Sequence, residues 1–302
     1  MIFSCVIPAK DKNDPKLADL IDSIRKQDFP QDKIEIIVET EGDSEQAKAS
    51  AIRKAKGDIC VMLCADNYFN DLSTFRYVWE LFRKYEVAGA YSKFYTHIRS
   101  DNSINRYFSL MGNNDPVCFY LGKSDRRPHY ENDRNELLTF FYFRDEIPSF
   151  GDNAFFYRRS EILKSDLDNY YPMDNAKDLQ SKGKPVYARF NCAMLWHRTS
   201  DSYFGFLRKR YRYARDLYCD RTNRRWKMLD TRKDYWRLLL FILRVIAVIP
   251  IVCTSIRGYR RVKDPAWFWH YPVCFGFLVT YGILAIRNLF KHGNLFQKNA
   301  VS

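Results

Sequence analysis

The sequence predicts an α/β protein with a mostly parallel central sheet, and three observations carry that prediction. Short apolar runs recur at residues 2–7, 34–38 and 58–63. A helical pattern long enough for a crossover follows each of the first two. Acidic or turn-forming residues stand directly after every run, at Pro8 to Asp11, Glu39 and Asp66-Asn67. Strands that are apolar throughout are covered on both faces, and those joined by helical crossovers pair in parallel.

The elements follow in order. The first run ends at Pro8, and Asp14-Pro15 places a side-chain cap ahead of a proline at the first helical position. Leu17, Leu20, Ile21 and Ile24 stand at i, i+3, i+4 and i+7, one apolar face that covers a sheet. After the second run a helix over 44–56 stops at Gly57, and the third strand follows at 58–63. A helix over 74–85 and a strand over 87–91 continue the alternation. Between 94 and 150 the periodicity fails amid Asn, Asp, Arg and aromatics, which predicts irregular loops with short helices forming an acceptor-side wall. A helix over 153–163 and a strand over 185–195, running up to Trp196-His197, complete the first part.

Charge divides the chain near residue 200. Residues 1–200 carry 29 Lys and Arg against 30 Asp and Glu, whereas 201–302 carry 20 against 6, so the net +13 is all C-terminal. Two regions are therefore expected, an α/β domain over 1–200 and a basic, hydrophobic region over 201–302. Residues 203–215 form a basic aromatic helix, with Phe204, Leu207, Tyr211 and Ala214 against Arg208, Lys209, Arg212 and Arg215. Stretches 238–256 and 266–286 are long enough to cross a bilayer core of about 30 Å. Arg244, Pro250 and the basic connector Arg257, Arg260, Arg261 and Lys263 fit a simple hairpin poorly, so spanning and in-plane or re-entrant embedding both stand as expectations. A basic block beside apolar segments suits an anionic membrane surface better than nucleic acid, and the 17% aromatic content suits an interface.

Eight cysteines without C-x-x-C spacing read as reduced, with Cys60 and Cys64 on one face of the third strand. The glycine-rich dinucleotide and P-loop signatures, an H-E-x-x-H pair and paired-Cys zinc spacing are all missing from the sequence. What remains is a nucleotide-type sheet with acidic residues at the carboxyl ends of its strands, where such sheets bind ligands.

Those strand ends carry a resemblance. Val6-Ile7-Pro8-Ala9-Lys10-Asp11 resembles the opening strand and turn of the family 2 glycosyltransferases with the GT-A fold, and Ile36-Ile37-Val38-Glu39 resembles their second strand. Ala55-Lys56-Gly57-Asp58 and then Cys60 to Asn67 resemble the stretch that delivers their metal-binding DxD signature, with Cys64 at its first acidic position and Asp66 as the remaining carboxylate. The match runs over about residues 2–200 and is strongest in the first 70. By this resemblance Pro8, Ala9, Lys10, Asp11, Glu39 and Asp66 bind the nucleotide, and Asp66 with His197 holds Mg²⁺ or Mn²⁺. Asp152 and Asn153 would touch acceptor hydroxyls, and Asp174 would be the catalytic base, with Asp152 and Asp178 competing. Arg126 and Arg127, along with Arg158, Arg159, Arg208 and Arg212, are candidates for phosphate capture.

The implied function is a membrane-associated inverting glycosyltransferase of hexosyltransferase type. It would move a sugar from a UDP- or GDP-sugar to a polyprenyl-linked acceptor at the cytoplasmic face, in glycan or polysaccharide assembly. A polyprenyl-phosphate sugar synthase, like the dolichol-phosphate mannose synthases, is one alternative. A non-catalytic membrane scaffold that retains the nucleotide-binding fold is another, and Cys64 is the residue that keeps it open.

Overall fold

The computed structural model describes residues 1–131, 136–144, 146–216 and 224–299. Its centre is an eight-stranded sheet in the order β2-β1-β3-β7-β5-β8-β4, with β6 also paired to β8. The chain begins with β1 (Phe3–Pro8), α1 (Pro15–Arg25), β2 (Ile34–Glu39), α2 (Ser44–Lys54) and β3 (Ile59–Met62). β1 pairs in parallel with both β2 and β3, as the apolar runs require. Asp14 caps α1 through Lys16 N, ahead of the proline, as its sequence position predicts. Asp43 and Gln46 form a reciprocal capping box on α2. Gly57 is needed beyond α2 because a Cβ there would lie 2.7 Å from the Phe3 carbonyl carbon.

Next come β4 (Asn67–Phe69), α3 (Thr74–Lys84), β5 (Gly89–Tyr95), α4 (Ser103–Met111), α5 (Pro116–Tyr120) and β6 (Leu138–Phe141). Among its described residues the aperiodic stretch 94–150 thus holds α4, α5, a 3₁₀ turn at His129–Glu131 and β6. β7 (Phe155–Arg158), α6 (Arg159–Ile162), α7 (Pro172–Ser181) and β8 (Tyr187–His197) complete the sheet and its cover. The helix expected over 153–163 is instead β7 followed by one short turn. β7 lies antiparallel between β3 and β5, with Phe155 and Tyr157 facing one core cluster and Phe156 the other. A strand buried on both faces is apolar at every position, so its pattern does not separate it from a helix. Five of the eight strands, β1, β2, β3, β5 and β8, run in one direction.

Alternation along the strands divides the core. Phe3, Cys5 and Ile7 join α1 and α3 on one face, while Val6, Cys60 and Met62 join α2, α6 and α7 on the other. Cys60 is therefore a small core residue. The seven cysteines among the described residues are free thiols, and Cys219 lies outside those residues.

Beyond the sheet follow α8 (Tyr203–Ala214), α9 (Arg232–Ala247), α10 (Ile249–Arg261) and α11 (His270–Asn299). The apolar stretch 238–256 is broken at Val248, where α9 and α10 meet at 86°. Residues Pro265–Leu289 are long and apolar enough to cross a membrane by length and composition, and a third of the most apolar part is buried within the protein. A third core cluster crosses residue 200. Ile104, Tyr107, Phe108 and Val117 from α4 and α5 pack with Phe206, Phe241, Ile251, Trp267 and Phe277.

Asp174 and Asp178 on α7 fix the segment that leads to α9. The Asp174 carboxylate accepts from Arg224 Nε at 3.1 Å and from Trp226 N at 2.9 Å, and it is fully buried. Asp178 accepts from Arg225 Nη2 at 3.0 Å. Removing one partner of such a pair strands the other in a poorly solvated place. Asp174→Ala is expected to lower unfolding stability by about 3 kcal/mol, read as a fall in the urea midpoint at unchanged m-value.

Candidate functional site

A cleft of ≈ 810 Å³ opens at the carboxyl ends of β1 and β3. One wall is Pro8, Ala9 and Lys10 after β1, with Gly42 to Glu45 at the start of α2. The floor is Cys64, Ala65 and Asp66 after β3, joined by Asp152, Asn153 and His197. The opposite wall comes from α8, through Phe206, Lys209, Arg210 and Tyr213.

Topology brings the floor together. The β3–β7 pairing sets Met62 opposite Phe155, so the turn leaving β3 meets the turn entering β7. β4 pairs with the end of β8, which sets His197 opposite Asn67 and beside Asp66. The turn into β7 is tightly bent: Gly151 has φ +112°, and Asn153 and Ala154 have φ of 55° and 58°. Only glycine fits at 151, since a Cβ would lie 2.6 Å from the Pro172 carbonyl oxygen. Two consecutive non-glycine residues in the left-handed region cost free energy, and such bends persist where surrounding contacts hold them.

Arg126 supplies that hold. Its guanidinium is buried over the Tyr95 ring, 4.4 Å from the centroid, and Nη2 donates to the Asn153 carbonyl at 2.6 Å. Neither Arg126 nor Arg127 lines the cleft. Arg158 and Arg159 donate to carbonyls of Val87 and Ala55 near the amino end of β3, also remote from it. Arg208 and Arg212 lie on the exposed side of α8. The cations that do line the cleft are Lys10, Lys48, Lys209 and Arg210.

Asp66 is shared between two of its neighbours. Oδ1 lies 3.4 Å from His197 Nε2, and Oδ2 accepts from Lys209 Nζ at 3.2 Å. Burial alone would raise its pKa, but His197 and Lys209 outweigh that and hold the carboxyl well below the ordinary range. Asp66 is thus ionised at any physiological pH. Asn114 Nδ2 sits 3.2 Å from His197 Nδ1 and orients the ring. Among the described residues no group of three or more His, Cys, Asp or Glu could hold a metal ion. The Asp66 oxygen and His197 Nε2 are spaced as two ligands of one cation, since ligands at about 2.1 Å from a shared centre lie roughly 3 Å apart; ligation requires Nε2 to give up the proton that the Asn114 donor at Nδ1 leaves on it.

Asp152 is held from below. Lys48, buried on α2, places Nζ 2.5 Å from Asp152 Oδ2 and 3.8 Å from Cys64 Sγ. Asp152 Oδ1 accepts from Asn153 N at 3.0 Å, and the carboxylate stays partly exposed to the cleft. Burial alone would lower the Lys48 pKa, yet Asp152 outweighs it and keeps the ammonium charged well above its usual range. Burial and the Asp152 charge raise the Cys64 thiol strongly, which keeps it neutral in the metal-free cleft.

Other sequence candidates fall outside the cleft. Asp11 caps its own turn through Asn13 N, and Glu39 is tied to Lys54 at 2.5 Å. Asp174 faces Arg224 and is not among the residues lining the cleft, whereas Asp152 is. Lys48, Lys209, Arg210 and Asp115 were not singled out from sequence as cleft residues. Lys48 left a signal, a lysine within the apolar stripe of Ala51, Ile52 and Ala55. Asp115 accepts from Arg210 and, at 2.6 Å, from Tyr281 Oη, so α5, α8 and α11 are joined at the cleft rim.

No protein-family model and no curated protein sequence matches the chain. The mannosyltransferase PcManGT from Pyrobaculum calidifontis, in complex with GDP-Man and Mn²⁺, is similar over 96% of this chain and 87% of its own length. The identity is 12% and the TM-score 0.50. S. aureus TarS 1-349 in complex with UDP is similar over 97% of this chain and 92% of its own, at 11% identity and a TM-score of 0.44. At such identity the likeness is one of fold, and the chain has the mixed α/β fold of the mannosyltransferase.

Lys48→Met removes the fixed charge under Asp152. It is expected to leave the Asp152 carboxylate without its partner and to lower unfolding stability by about 3 kcal/mol, read as a fall in the urea midpoint, while Lys48→Arg restores part of the loss.

Proposed function

We propose that the chain is an inverting glycosyltransferase that moves a hexose from a UDP- or GDP-sugar to a polyprenyl-linked acceptor at the cytoplasmic face of a membrane. The observation that carries this reading is the convergence of Asp66, His197, Lys209 and Asp152 in one cleft at the strand ends. That grouping separates two chemical tasks, offsetting diphosphate charge and activating a hydroxyl.

The nucleoside would lie against Pro8 to Lys10 and the start of α2, which line one wall. Its diphosphate would meet Lys209 and Arg210 from α8, cations suited to a leaving group that gains charge as the glycosidic bond breaks. Asp66 and His197 would hold Mg²⁺ or Mn²⁺, with phosphate oxygens and water completing its shell; the metal when bound neutralises diphosphate charge. Asp152 takes the role first expected of Asp174. With Oδ2 fixed on Lys48 and its carboxylate open to the cleft, it can accept the proton of an acceptor hydroxyl that attacks the anomeric carbon from the face opposite the diphosphate. Attack from that side inverts the anomeric configuration. If the acceptor is instead a polyprenyl phosphate, it arrives already anionic and no base is needed.

The glycosyltransferase reading is favoured over a non-catalytic scaffold by Cys64 itself. Its loss of charge is accompanied by Lys48 and Asp152, which rebuild an ordered charged floor beside Asp66.

Two variants separate the roles in an assay of labelled sugar nucleotides on native membrane lipids. Asp66→Ala is expected to abolish transfer and weaken donor binding. Asp152→Asn is expected to lower kcat by ~10²–10⁴ with donor binding retained. Full activity in Asp66→Ala would remove the metal and diphosphate assignment. Full activity in Asp152→Asn with a hydroxyl acceptor would remove the base assignment.

A further inference from the structure

The junction of α9 and α10 is an unpartnered apolar elbow. Residues 246–250, Ile-Ala-Val-Ile-Pro, are all exposed, with Ile246 at 67% and Ile249 at 72%. Val248 at its apex has φ 62° and ψ −54°, costly for a β-branched residue. Exposed apolar residues extend from the apex along both arms, as Trp236, Leu240 and Leu243 on α9 and Ile256 on α10. The inward faces of the same helices are packed: Phe241, Val245 and Ile251 lie in the third core cluster, and Gly258 sits against the Trp267 indole. Arg244, exposed between Leu243 and Ile246, interrupts this face with its guanidinium 5.5 Å from the Tyr120 ring, yet soluble proteins rarely leave so large an apolar surface in water.

Both arms return to the same body. At the start of α9, buried Asp234 pairs with Lys123 at 2.8 Å, and Arg237 donates to the Leu121 carbonyl at 2.8 Å. At the end of α10, Arg257 stacks 4.9 Å from the Tyr130 ring, and Asp264 just beyond binds His97 at 2.9 Å. An elbow of 86° tied at both ends to one body turns its exposed apex outward. Arg257, Arg260, Arg261 and Lys263 are exposed at the far end of α10. Such a run of cations beside an apolar wedge matches anionic headgroups above acyl chains.

From these contacts we propose that residues 246–250 form the tip of a re-entrant wedge. The tip enters one anionic leaflet without crossing the bilayer, and the arginines at the end of α10 contact the headgroups. The inference rests on the membrane location in the proposed function and specifies which segment provides it. α11 lies beside this region and its outer face is also apolar, at Phe275, Val279 and Ile283. Because α11 packs on α8, which walls the cleft, the wedge would hold the cleft near the leaflet surface.

The test is flotation of the full chain on phosphatidylcholine vesicles containing about 30% phosphatidylglycerol, comparing wild type with Ile246→Asp/Ile249→Asp. Both residues are exposed, so the variant is expected to keep its melting temperature while its vesicle partitioning falls by ~10²-fold. Pure phosphatidylcholine is expected to weaken wild-type binding by ~10-fold or more. If the double variant floats like wild type, the wedge is overturned, since a tip projecting into water beyond a bilayer tolerates aspartates. If wild type floats on neither vesicle, the membrane reading itself fails. A photo-crosslinking p-benzoylphenylalanine at 249 should yield lipid adducts; crosslinks only to a second copy of the chain would overturn the proposal in favour of a dimer face.

Discussion

The buried Lys48–Asp152 pair is the contact on which the cleft floor depends. It joins α2, which covers the sheet, to the bent turn entering β7, and its ammonium also reaches Cys64 on the turn leaving β3. Three segments distant in sequence are fixed by one charge. The sign of its pH dependence follows from Lys48, whose pKa is raised in the folded protein. The stabilisation is fully present below the unfolded lysine value and is lost only as pH rises through the folded one. The pair therefore holds across the whole neutral range. Arg126 works alongside it, drawing the Asn153 carbonyl inward so that the strained turn keeps its shape.

The remainder of the cleft is arranged around that floor. Asp66 is divided between His197, delivered by the β4–β8 pairing, and Lys209, delivered by α8. α8 is in turn bound to α5 and α11 through Asp115, Arg210 and Tyr281. The helical C-terminal part thus supplies one wall of the cleft as well as an apolar outer face. The same helices connect the proposed chemistry to the proposed surface.

Much of the fold was legible in the sequence because β1, β2 and β3 are mostly apolar and the caps of α1 and α2 are strong local signals. β7 was misread because a strand buried on both faces lacks alternation, and its aromatic run suits either state. In the cleft, Asp66 and His197 stood out because each ends an apolar run, and the structure sets them together. Asp174 faces Arg224, and an acid in the first turn of a helix reads the same in sequence whether it faces substrate or an arginine. Arg126 looked like a phosphate ligand for a similar reason, since sequence shows a cation but not that Tyr95 and Asn153 bury it. The break at Val248 was marked only by Pro250, and the tertiary anchors that bend the pair come from residues more than a hundred positions away.

The proposed chemistry requires this cleft to bind a nucleoside-diphosphate sugar through charge fixed around Asp66. Calorimetric titration of the full chain with UDP- and GDP-sugars, each with and without Mn²⁺, tests it most directly. Saturable binding of at least one of them is expected, tightened by Mn²⁺ and lost in Asp66→Ala. Failure of every sugar nucleotide to bind, with or without metal, would contradict it.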